Sequence, residues 1–136
     1  MVDSGEILSL IDEIAIKTRT QGQGIIFTGQ PRKLPEAQYF LQKDYIDIVF
    51  FLDAPVEVLK DRALSRGRAD DDAATVINRI KVYLRETYPV LDYFYEQGIP
   101  VYKINAHRTR DEIDMEILQF LMRHHRRLVR TMTAYA

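Results

Sequence analysis

Arginines are the residues in this sequence best equipped for chemistry. Arg62 and Arg66 are four residues apart, which puts both on one face of a helix. Arg68 follows two residues later, and the eleven residues from Arg68 to Arg79 make about three turns, so a continuous helix would direct both guanidiniums the same way. Arg32 ends the run Thr28-Gly-Gln-Pro-Arg32, in which Gly29 lets the backbone approach a ligand and Pro31 stiffens the turn that aims the side chain. A guanidinium fork pairs bidentately with phosphate oxygens, so convergence of these arginines would bind a polyphosphate and stabilise a phosphoryl transition state. Spacing equally allows each to be solvated or paired with Asp61, Asp70, Asp71, Asp72 or Glu86.

Alternating helices and short apolar runs must position them. Ile7, Leu8, Leu10, Ile11, Ile14 and Ala15 recur at helical spacing up to about Thr20, and Gly22 and Gly24 end that helix. Three apolar runs read as strands, over 24–28, 46–53 and 100–105. Between them, Pro35 opens a helix reaching about Lys43, and Pro55 opens one through Ser65. Asp70, Asp71 and Asp72 supply caps for a long helix that Pro89 kinks or interrupts and Gly98 closes. A final helix from Arg110 turns Ile113, Ile117, Leu118 and Leu121 inward. Strands separated by helices imply parallel strands joined by crossovers. The expected fold is α/β, a three-layer parallel sheet with helices on both faces and ligands beyond the strands' carboxyl ends.

Composition narrows the classes. The 136 residues suit one domain. A hydrophobic fraction of 46% with 29% charged residues argues against disorder and rod-like repeats. A net charge of -1 gives no global field for nucleic acid or an acidic membrane, and the apolar run 48–52 is too short to span a bilayer. The absence of cysteine removes disulfides and thiolate zinc sites, and no metal-ligand constellation stands out. These features, with an acidic N-terminus unlike a signal peptide, point to a cytoplasmic chain without nucleic-acid or membrane partners. His124 and His125, beside Arg123, Arg126, Arg127 and Arg130, read as cations in the final helix.

The segment Gly24-Ile-Ile-Phe-Thr-Gly-Gln-Pro-Arg-Lys-Leu-Pro-Glu-Ala-Gln38 resembles the signature segment of adenylate kinases. Asp61-Arg-x-x-x-Arg66, Arg68-Ala-Asp-Asp71, Arg79, Tyr83 and Thr87-Tyr-Pro-Val-Leu91 follow in that family's order, so the resemblance runs over nearly the whole chain. It implies a single adenylate-kinase-like domain over 1–136, corresponding to the C-terminal two thirds of the family fold. The family reaction transfers the γ-phosphoryl of magnesium-bound ATP to a nucleoside monophosphate. By position, Arg32 looks like the arginine that holds the monophosphate's phosphate, and Gly29, Gln30, Glu36, Glu6, Ile7 and Leu8 border the monophosphate site. Arg62 and Arg108 match the donor-nucleotide side, Arg66, Arg68 and Arg79 match the arginines around the transferring group, and Asp70 and Asp71 match the lid's hinge acids.

The sequence departs from the family pattern in three ways. No G-x-x-x-x-G-K-[ST] phosphate loop occurs, and no Gly-Lys pair at all. The chain therefore reads as starting about a third of the way through the family, with Met1 an internal start. Thr28 replaces the aspartate that helps organise magnesium, Gln30 replaces an aromatic residue, and Glu36 replaces the amide that reads adenine; a carboxylate only accepts hydrogen bonds, which leaves the base preference open. The lid is reduced to Arg66-Gly-Arg68. Two expectations follow: the isolated chain is inactive or weak as a kinase, the alternative being a catalytically dead nucleotide-binding module or one half of a split kinase, and self-association or a complementing chain supplies the missing strand.

Overall fold

The computed structural model describes residues 4–69 and 71–134, with side chains described from residue 5 through residue 124; Asp70 and the cationic side chains of His125, Arg126, Arg127 and Arg130 lie outside the described residues. In chain order the elements are α1 (Ser4–Thr20), α2 (Leu34–Gln42), β1 (Val49–Asp53), α3 (Val56–Ser65), α4 (Ala73–Glu96), β2 (Val101–Asn105) and α5 (Arg110–Ala134). The two strands pair in parallel, with Val49 opposite Val101 and Asp53 opposite Asn105.

Alternation of side chains across β1 sets the layers. Phe51 points to one face and meets Tyr88 of α4 at 5.7 Å between ring centres. Phe50 points to the other and meets Phe120 of α5 at 5.2 Å. Helices thus cover both faces of a parallel sheet, the α/β class expected from the sequence. The core sits under α4, where Ala37, Val90 and Phe94 are buried and Ile46, Val49, Ile99 and Val101 pack around them. A second cluster joins Phe27, buried Phe40 and Tyr45, the first two rings 4.9 Å apart.

Four details differ from the sequence expectations. Residues 24–28 form no strand: among the described residues they have no ladder partner, and Ile26 is 85% exposed. An apolar run becomes a strand only where a neighbour's N–H and C=O groups meet it, and the sheet has two strands among the described residues. The flanking strands are shorter than 46–53 and 100–105, starting at Val49 and Val101. α4 continues through Pro89 as one helix. Leu118 faces outward, 53% exposed, because α5 meets the sheet through Phe120 instead.

Candidate functional site

Parallel strands end together, and ligands of such sheets bind beyond that carboxyl edge. Here the edge carries a cleft of about 500 Å³ lined by Asp53, Pro55, Lys103, Asn105 and His107. Lys103 Nζ lies 2.9 Å from Asp53 Oδ2, and hydrogen bonding to this carboxylate raises the ammonium's pKa above its ordinary value. Asn105 shapes the following loop: its Oδ1 accepts from the His107 N–H at 2.9 Å, and its carbonyl accepts from Arg108 Nε at 2.9 Å. Arg108 also pairs with Glu116 of α5. Arg62, on the last turn of α3, donates through Nη2 to the Arg108 carbonyl at 3.3 Å. The two residues matched to the donor side are therefore neighbours. Sequence reasoning passed over Asp53 and Lys103; a charge at the end of one apolar run and another in the middle of the next were the available signal.

Past α3 the chain turns at Arg66 and Gly67, where φ of +68° suits glycine, and reaches α4 at Ala73. Asp72 caps α4, accepting from the Thr75 N–H at 2.9 Å. The helix accordingly starts after Arg68, so turn-counting from Arg68 to Arg79 does not apply, and the Arg68 side chain is exposed. What gathers the arginines is Asp71. Its Oδ1 lies 2.7 Å from Arg79 Nη1 and its Oδ2 lies 3.4 Å from Arg66 Nη2, with the Asp71 side chain fully enclosed. Burial pushes this carboxyl's pKa up, but the hydrogen bonds from Arg66 and Arg79 outweigh it and hold the group below its ordinary range. Two guanidiniums from separate elements thus address one anion.

The Arg32 loop is organised separately. Gly29 has φ +80°, the Gln30–Pro31 peptide is cis, and Arg32 Nε donates to the Gly29 carbonyl at 2.6 Å. Glu36 accepts through Oε2 from the N–H groups of Arg32 at 2.7 Å and Lys33 at 3.3 Å, a role at the start of α2. Glu6, Ile7 and Leu8 lie on the first turns of α1, Glu6 exposed and the other two half-buried. No hydrogen bond or ion pair joins them to the Arg32 loop among the described residues. α1 docks instead through Asp12, which accepts hydrogen bonds from the phenols of Tyr39 and Tyr45. Those two bonds hold the Asp12 pKa down against burial. Burial, then the bond to Asp12, pushes Tyr45 up to about 12. Among the described residues no group of three or more His, Cys, Asp or Glu side chains is placed to hold a metal ion. No helix among them is long and apolar enough to cross a membrane.

Fold and site together define an α/β chain with a cleft at the carboxyl edge of a parallel sheet, Arg62 and Arg108 in contact, and Arg66 and Arg79 meeting on Asp71. No protein-family model matches the chain. Curated proteins do. It is 34% identical over 129 residues to an adenylate kinase of Prochlorococcus marinus (strain AS9601), covering 88% of this chain and 69% of that one. It is 32% identical over 126 residues to an adenylate kinase of Porphyromonas gingivalis (strain W83), covering 86% and 64%. With adenylate kinase isoenzyme 5 of Bos taurus it shares 30% identity over 122 residues, 86% of this chain and 22% of the relative. The chain belongs to the adenylate kinase family.

Proposed function

We propose that this chain binds a nucleoside monophosphate and ATP in the manner of its family and contributes the arginine clamp of the phosphoryl transfer between them. The observation that carries this reading is the convergence of Arg66 and Arg79 on the Asp71 carboxylate, because side chains that can share one anion can also flank a transferring phosphoryl group. In the reaction an oxygen of the monophosphate attacks the γ-phosphorus of ATP and ADP leaves. Arg66 and Arg79 would stabilise the equatorial charge, with Arg68 joining from the turn. Arg32 would hold the monophosphate's phosphate, within a site bordered by Glu6, Ile7, Leu8, Gly29, Gln30 and Glu36. Arg62 and Arg108 would lie along the donor nucleotide, and Asp70 and Asp71 would hinge the short lid.

Magnesium belongs to the family chemistry, but the fit here is poor: Thr28 offers a neutral hydroxyl and Asp53 is engaged by Lys103. No step is therefore routed through the ion. The sequence carries no phosphate-cradling loop, so turnover by the isolated chain should be weak or absent. That same feature favours a second reading, a nucleotide-binding module or one half of a split kinase. A cytoplasmic location, where both nucleotides are plentiful, accompanies either reading.

Calorimetric titration with AMP, GMP and a bisubstrate dinucleoside polyphosphate, alongside a coupled kinase assay, tests the proposal. Saturable binding that disappears in Arg32→Ala, with turnover reduced about 10²- to 10³-fold in Arg66→Ala or Arg79→Ala, supports the kinase reading. Binding without any turnover supports the module. No binding by folded protein overturns both.

A further inference from the structure

The face that α1 turns inward is a stripe at helical spacing, Ile7, Leu8, Ile11, Asp12, Ala15 and Thr18, each buried or half-buried, while the residues between them are exposed. Asp12 is the one charged member of that stripe. A carboxylate there loses hydration and must regain it in bonds. Both of its oxygens are bonded: Oδ2 accepts from the Tyr39 phenol and Oδ1 from the Tyr45 phenol. Lys43 Nζ stands 3.9 Å from Oδ2, and the Asp12 side chain keeps 25% of its surface exposed. An ionised acceptor makes such bonds roughly twice as strong as neutral pairs.

The two phenols belong to opposite flanks of the Arg32 loop. Tyr39 lies on α2 one turn beyond Glu36, whose carboxylate binds the N–H groups of Arg32 and Lys33. Tyr45 follows α2, where its N–H donates to the Phe40 carbonyl at 3.0 Å, and its ring centre lies 6.1 Å from that of Phe27, the residue before Thr28. One carboxylate therefore grips the helix that leaves the loop and, through the Phe27 ring, the chain that enters it. Among the described residues the hydrogen bonds of Arg32, to the Gly29 carbonyl and to Glu36, stay local. What sets this loop against α1 is the hold on its flanks. Arg19 of α1 adds to that docking, its guanidinium 5.0 Å from the Tyr45 ring centre and donating to the Asp44 carbonyl. Leu8 precedes Asp12 by four residues and shares its face, so the same bonds fix where the first turns of α1 stand.

We propose that Asp12 is a positioning residue for the nucleoside monophosphate site: by holding Tyr39 and Tyr45 it fixes both flanks of the Arg32 loop against the first turns of α1, so that the nucleotide meets two walls already in register. The inference rests on the nucleotide-binding reading proposed above. Asp12 acts through Arg32 rather than by touching the nucleotide. Its contribution is preorganisation: where α1 and the loop move independently, the cost of ordering them is drawn from binding, and the apparent affinity falls with the fraction of molecules whose walls are in register.

Two measurements on the full chain test this. In calorimetric titration, AMP should bind Asp12→Ala about tenfold more weakly than the parent, as a competent population cut to about a tenth requires. Asp12→Asn, which keeps an accepting oxygen, should recover part of that loss. The Tyr39→Phe/Tyr45→Phe pair, which keeps both rings, should match Asp12→Ala and add nothing when combined with it. Phe120→Ala, on α5 across the sheet from α4, should lower stability and leave AMP affinity unchanged. The chain has no cysteine, so spin labels on Ser9→Cys in α1 and Gln38→Cys in α2, both exposed, read the separation of the two helices. That separation should be narrowly distributed in the parent and broadened by Asp12→Ala. If Asp12→Ala does not fold, the Tyr39→Phe/Tyr45→Phe pair decides. Unchanged AMP affinity in the deciding variant, an unbroadened separation, or an equal loss in Phe120→Ala overturns this inference and leaves the nucleotide reading standing. A folded parent that binds no AMP overturns both.

Discussion

Residues 49–53 and 24–28 are two short, mainly apolar runs of five residues, and they end in different states. The first lies between α4 and α5, pairs with β2, and buries Phe51 to 8% exposure. The second leans on α2 through one ring, has no ladder, and leaves Ile26 85% exposed. The difference teaches that apolar composition nominates a strand, while neighbours on its edge and faces create one.

Substitutions in the two runs should separate accordingly. Phe51→Ala should have the largest effect, a loss of about 3–5 kcal/mol in urea unfolding, because a buried ring at the centre of the layers leaves a cavity that little can fill. Phe27→Ala should cost only about 1 kcal/mol in the same measurement, the worth of its ring contacts with Phe40 and Tyr45. Equal losses would mean that 24–28 is as much part of the core as β1.

Alkaline titration probes the cluster under Phe27. The Tyr45 pKa is raised from 10.0 to about 12. The stability this gives is fully present below pH 10 and lost as pH rises toward 12. Asp12→Asn should return the phenol part of the way toward 10, read by tyrosinate absorbance, with burial holding the remainder. The smallest effect should come from Ile26→Lys, a change within about 0.5 kcal/mol in urea unfolding because the side chain is already 85% exposed.

Much of the fold was legible in the sequence. Helical spacing in 7–15, prolines at helix starts and apolar runs ahead of Asp53 and Asn105 each have a local cause, and the elements they specify are present. The number of strands was not legible, since pairing depends on segments far apart in the chain. Pro89 misled in a similar way: its local cost argues for a break, and the packing of Val90 and Phe94 in the core under α4 overrides it. At the site, the arginines could be named from the motif order, but their grouping could not. Arg68 and Arg79 share no helix, and Arg66 and Arg79 meet through Asp71, an acid that spacing alone offered only as one pairing option among several. The engagement of Glu36 by its own loop was equally invisible, because a carboxylate three residues into a helix serves a cap or a ligand with the same sequence.

The parallel pairing of Val49 with Val101 also constrains how the molecule assembles in time. The ladder closes a loop of roughly fifty residues, whose entropic cost must be met before any of its hydrogen bonds form. The α3 and α4 hairpin, linked by a short turn, has no such delay. Helices should therefore dock first and the strands zip last, so that damage to the ladder hastens unfolding far more than it slows folding.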